Sequence, residues 1–152
     1  RVQYDRNEFP LISFSVIGTP MAETSQEGSQ TYAIVLWADD RKDGVQFLTP
    51  NHYSLQMALM THPPEHEVKP HIHRPVERHI SDTLEFLFIR RGKATLDLYR
   101  DDKSHLRSLE LGAGDGVLLV SGGHGLKMLE PTEMIEVKQG PYQDSQSDKI
   151  RF

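Results

Sequence analysis

Two histidines two residues apart, His71 and His73, stand a dozen residues before a carboxylate, Glu85, that sits among the apolar residues Leu84, Phe86, Leu87, Phe88 and Ile89. In an extended strand residues i and i+2 point to the same side, so both imidazoles can reach one point. A fourth donor, His124, follows in the glycine-rich stretch GDGVLLVSGGHG. Neutral imidazole nitrogens and carboxylate oxygens are the donor types that bind a divalent transition metal. Three imidazoles and one carboxylate leave such an ion positively charged with open positions. It can then polarise a carbonyl or hydroxyl as a Lewis acid, or bind O2 where the metal is Fe(II). Zn, Mn, Fe and Ni all suit this donor set, and the spacing does not choose among them.

The elements that must position these residues read as strands. Leu11–Ile17 alternates apolar and small polar residues and ends at Gly18-Thr19-Pro20, and Glu23 to Gln30 (ETSQEGSQ) reads as a polar loop. Tyr32–Ala38 is rich in β-branched and aromatic residues and runs into a polar turn at Asp39, Asp40, Asp43 and Gly44. Tyr53–Thr61 is expected as a strand, which the two prolines of Thr61–Glu67 then break. Leu84–Ile89 and Ala94–Tyr99 are expected to form a hairpin, with Gly92 supplying the positive φ of its turn. A second hairpin turns at Asp101-Asp102-Lys103 and returns along His105–Leu111. Val117–Val120, His124–Leu129 and Met134–Val137 complete some ten short strands, the pattern of a sandwich or barrel. Alternation along these strands places Leu55, Met57, Leu87, Ile89, Leu126 and Met128 around the metal as an apolar pocket. The tail, Gln139–Phe152, is polar until Ile150 and Phe152, and is either a frayed terminus or a strap that docks those two residues.

Composition narrows the partners. A chain of 152 residues can bury one core as a single domain, 1–152. It has no cysteine, so disulfides and thiolate metal sites are excluded. With 17 Lys+Arg against 22 Asp+Glu the net charge is −5, which argues against nucleic acid or an anionic membrane as partner. No apolar run approaches the roughly 18–20 residues of a membrane span, and RVQYDRNEFP is not a signal peptide. A cytoplasmic location is therefore the expectation. No Ser-His-Asp or Cys-His pair, phosphate loop or dinucleotide fingerprint occurs.

His71-x-His73, Glu85 with Gly92 behind it, and a glycine-rich block ending in His124 together resemble the two motifs of the cupin superfamily. The match covers about residues 68–130, preceded by N-terminal strands (1–67) and followed by the tail (139–152). The resemblance implies an all-β double-stranded β-helix, or jelly-roll barrel, with His71, His73, Glu85 and His124 as metal ligands. Two departures stand out. The family's glutamate commonly lies three or four residues after the second histidine, a spacing met by Glu77, whereas Glu85 has the spacing to the glycine. An insertion over about Arg74 to Ser81 reconciles them, and Glu85 is preferred because it stands on an apolar strand. Second, Val120 or Ser121 stands where the family usually has proline. Cupins include isomerases, epimerases, dioxygenases and non-catalytic modules. The resemblance thus implies a metal-dependent enzyme acting on a small polar metabolite such as a sugar or sugar acid, by isomerase- or epimerase-like Lewis-acid chemistry. The alternatives are an Fe(II)-dependent dioxygenase and a non-catalytic metal- or ligand-binding module. Arg78, in the insertion, is a candidate for binding an anionic substrate, with Tyr53 and His79 beside it. A positioned acid or base beyond the ligands, from Tyr53, His66, Glu77 or His79, would separate enzyme from binding module. Phe86 and Phe88 make the second face of their strand apolar as well. That face needs cover, and a homodimer with Leu11–Ile17 near the contact is expected.

Overall fold

The computed structural model describes residues 21–142 and 149–152. The expected strand at Leu11–Ile17 lies outside them. Ten strands and no helix are found among the described residues, and no helix is long and apolar enough to cross a membrane. The larger sheet has the order β1-β2-β8-β5-β10, formed by Glu23–Glu27, Gln30–Leu36, Gly116–Leu119, Glu85–Arg91 and Glu133–Lys138. The smaller sheet has the order β7-β6-β9, formed by His105–Gly112, Lys93–Tyr99 and Gly123–Met128. Gly44–Phe47 and Ala58–Thr61 pair as a separate two-stranded hairpin, β3 and β4. Every pairing is antiparallel.

Period-2 alternation decides which side chains meet, because residues directly opposite in an antiparallel pair share a face. Ala33 and Val35 of β2, Val117 and Leu119 of β8, and Leu87 and Ile89 of β5 form one side of the main core. Leu96 and Leu98 of β6 and Leu109 and Leu111 of β7 form the other, with Leu126 of β9 packed against them. The two sheets therefore face each other across one core. Among the described residues they do not close into the expected barrel: β9 and β10 each pair on one edge only.

The outer face of the larger sheet is covered too. Ile34 and Leu118 project there and are buried with Met57, and Phe86, Ala22, Leu48, Tyr53 and Leu55 pack partly buried around them. This divides the expected apolar pocket. Leu87 and Ile89 are sealed in the main core, Leu55 and Met57 lie on the opposite side of the sheet, and Met128 is largely exposed.

Three further expectations are corrected. Glu23–Gln30 is not a loop; its first five residues form edge strand β1, where Ser25 is buried and Glu23 and Glu27 pair with arginines of the other sheet. Polar residues suit an edge strand whose cross-sheet partners are cations. Leu84–Ile89 and Ala94–Tyr99 do not form a hairpin: β5 belongs to the larger sheet and β6 to the smaller. Gly92 does take φ +84°, but as the corner between the sheets, where a Cβ would come within 2.3 Å of the Pro131 carbonyl oxygen. Of Tyr53–Thr61 only the last four residues are strand, because Gln56 is bound to the carbonyls of Pro50 and Tyr53 and holds the preceding turn. The hairpin at Asp101–Lys103 forms as expected, joining β6 to β7 with Lys103 at φ 72°.

Residues 62–83, between β4 and β5, contain no regular structure, and every one of them is exposed. At the far end of the chain Phe152 packs edge-on against Tyr99 at 5.2 Å, whereas Ile150 is exposed.

Candidate metal centre

Among the described residues four polar or charged side chains are buried: Ser25, Thr49, Glu85 and Asp115. Three have structural tasks. Asp115 accepts the backbone N–H groups of Ala38 and Gly112 at 2.8 and 2.7 Å, fixing the corner before β8. Thr49 accepts the Met57 amide at 3.1 Å, and Ser25 takes a hydrogen bond from Arg107 at 3.3 Å. Glu85 differs. It leads β5 on the same face as Leu87 and Ile89, so its carboxylate enters the space between the sheets at their end.

From the opposite sheet His124 reaches the same place. It is paired with Leu98, so it shares the inward face of Leu98 and Leu126. Its Nε2 lies 3.7 Å from Glu85 Oε2. Two residues of different sheets, far apart in sequence, thus bring a carboxylate and an imidazole together at one end of the core. Burial holds the His124 imidazole below its ordinary 6.5, opposed by Glu85 and Glu136 and reinforced by Lys149 and Lys138. The ring is therefore neutral at pH 7, with a lone pair free to coordinate or accept a proton.

Glu136, Lys138 and Lys149 escaped the sequence reading. Glu136 and Lys138 pair with Leu87 and Glu85 across β5, so both sit on the inward face of β10. Lys138 Nζ is 2.8 Å from Glu136 Oε1, and this ammonium holds the Glu136 carboxyl below the usual carboxylate range. Their signal in the sequence was the alternation Met134, Glu136, Lys138, visible only once strand and register are known. A cavity of about 630 Å³ runs beside them, lined by Glu136, Val137, Lys138, Tyr142 and Lys149.

The other expected donors stand apart. His71 and His73 lie in the exposed 62–83 segment, edge to face with ring centroids 5.1 Å apart, and His71 Nδ1 is 2.9 Å from the Lys69 carbonyl oxygen. Among the described residues no three His, Asp or Glu side chains gather into a metal-holding group. The donor chemistry suits a divalent ion, but this arrangement collects two of the four donors. Of the two candidate carboxylates, Glu85 is the one beside His124. Glu77 is exposed, 3.6 Å from His79.

The expected substrate-binding residues are not assembled around this pair. Arg78 is exposed, its guanidinium 3.4 Å from the Val76 carbonyl oxygen, and His79 is exposed beside Glu77. Tyr53 packs on the outer side of the larger sheet, the side opposite Glu85. His66 stacks on His62 at 4.0 Å. Compared with protein-family models, curated proteins and solved structures, the chain matches none.

Proposed function

We propose that this chain is a jelly-roll-like sandwich of the cupin type that binds a divalent transition metal through His71, His73, Glu85 and His124. It takes a small polar ligand of the sugar or sugar-acid class at the open end of the core. The observation that carries the reading is the meeting of Glu85 and His124 from opposite sheets, one a buried carboxylate, the other a neutral imidazole. The strand order supports it: β5 and β6, β7 and β8, and β9 and β10 each cross from one sheet to the other, the repeated corner of a jelly roll. When bound, the ion would supply Lewis-acid polarisation of a carbonyl or hydroxyl.

One observation favours a non-catalytic binding module over an isomerase. None of Tyr53, His66, Glu77 and His79 is placed beside Glu85 and His124 as a further acid or base. Glu136, on the adjacent strand, is no substitute, since its bond to Lys138 holds its carboxyl low and makes it a weak base.

Zinc titration of the purified, metal-stripped protein tests the reading. One ion per chain is expected, with Glu85→Gln weakening binding at least about tenfold and Glu77→Gln changing it little. A protein that takes up no zinc, manganese, nickel or iron overturns it.

A further inference from the structure

Beyond β10 the chain passes from one sheet to the other. β10 ends at Lys138 in the larger sheet, whereas Phe152 lies on the smaller one, its ring edge-on to Tyr99 at 5.2 Å and its centre 5.6 Å from Lys103 Nζ. Glycine makes the place for it. Gly123 pairs with Tyr99, so both face outward from the smaller sheet, on the side opposite Leu98 and His124. A Cβ at Gly123 would come within 2.9 Å of the Phe152 ring, and one at Gly125 within 3.8 Å of the Tyr99 ring. The two glycines that flank His124 thus leave room for both rings.

Three residues earlier the chain is on the inward side. Lys149 lines the cavity of about 630 Å³ with Glu136 and Lys138, the inward residues of β10. Its charge is felt from both sheets. After burial it helps to hold the His124 ring below its ordinary 6.5, and after Lys138 it helps to hold the Glu136 carboxyl low. The step from Lys149 to Phe152 spans at most about 11 Å of extended chain. Such a short stretch reaches the outward side only around the edge of β9, which pairs with no further strand among the described residues. His124 stands at that edge, next to Gly123.

We infer that Lys149–Phe152 is a strap held across the Glu85–His124 end by Phe152, and that it must lift before a ligand reaches those two side chains. This goes beyond the metal-binding reading and stands without it. The hold is light: Ile150 and Phe152 are mainly exposed, and one edge-on ring pair shifts an equilibrium by about tenfold at most. A strap of that strength opens often, and a ligand that needs it open binds up to about tenfold more weakly than it would to the bare end.

Modification of the whole chain with diethyl pyrocarbonate, read histidine by histidine by mass spectrometry, tests it, since the reagent takes the lone pair of a neutral imidazole. His124 is expected to react several-fold, up to about tenfold, faster in Phe152→Ala than in the unaltered chain. Phe152→Tyr, which keeps the ring, is expected to react as slowly as the unaltered chain. His71 and His73, already in solvent, keep their rates in every variant. Equal His124 rates with and without the Phe152 ring overturn the inference. So does a Phe152→Tyr chain as reactive as Phe152→Ala, or a rise shared by all the histidines, which means general loosening rather than release of a strap. Absence of a Tyr99–Phe152 nuclear Overhauser effect in the free protein overturns it too. No metal enters these measurements, so a failed zinc titration removes the metal reading and leaves the strap to be judged by its own result.

Discussion

The two lateral sides of this molecule are built differently. On one, β1 and β7 form the outer edges, and arginines of the smaller sheet's β6–β7 hairpin reach across to β1. Arg107 meets Glu23 at 2.8 Å, and Arg100 grips Glu27 through two bonds of 2.7 and 2.8 Å. On the other side β9 and β10 form the outer edges, and neither pairs further among the described residues. The groups between them are a carboxylate, a neutral imidazole and the Glu136–Lys138 pair. The first side pairs its charges with partners of opposite sign across the gap between the sheets. The second gathers the Glu85–His124 and Glu136–Lys138 pairs at one end of the core, beside half-exposed Ile135 and Val137.

The largest effects should appear in the core that both sides share. Leu98→Ala, at a fully buried position opposite His124 in register, should cost about 2–5 kcal/mol in denaturant unfolding. Ile72→Ala in the metal-free protein should stay within about 0.5 kcal/mol, because the side chain is already in water. A large loss at Ile72 would mean that the segment packs against the sheets in solution.

Next comes the open side itself. His124→Ala should lower zinc affinity by at least about tenfold while the fold persists, since the core is made by the strands. Equal affinity in that variant would detach the ion from the Glu85–His124 pair.

The pH response should also separate the sides. His124 binds its proton less readily folded than unfolded, because burial disfavours the charged ring. The unfolded chain therefore takes up more protons below the ordinary value of 6.5, and the stability that this residue contributes falls as pH drops through that window. His124→Gln should flatten this part of the curve in the metal-free protein, and NMR of the His124 ring should place its midpoint below 6.5. On the closed side the sign is the same and only the window differs. Hydrogen bonding to Arg100 holds the Glu27 carboxyl low, so its contribution is lost only in more acidic solution.

The smallest effect belongs to the Arg–Glu stitching. Arg100→Gln should change stability slightly, should do so less in high salt, and should leave zinc binding unchanged.

The sequence made much of this legible where local chemistry decides. The β6–β7 hairpin followed from its Asp-Asp-Lys turn, and β8 from four apolar residues after punctuating glycines. It misled where partners decide. Nothing local distinguishes the Gly92 corner between sheets from a hairpin turn, since both require positive φ. β1 read as a loop because its polar residues make sense only against Arg100 and Arg107, which lie far along the chain. The site divided the same way. Glu85 stands on a strand with clear alternation and His124 follows a glycine-rich turn, so both could be singled out locally; Glu136 and Lys138 needed the β5–β10 register. His71 and His73 carry the right spacing, but two prolines, Pro70 and Pro75, flank them and weaken any ladder.

The proposed metal centre can be examined most directly by X-ray absorption at the zinc edge of the protein loaded with one equivalent. Three imidazole nitrogens and one carboxylate are expected at about 2.0–2.2 Å, falling to one imidazole or none in the His71→Ala/His73→Ala variant. A spectrum that is unchanged by His124→Ala, or a wild-type protein that holds no zinc, would contradict it.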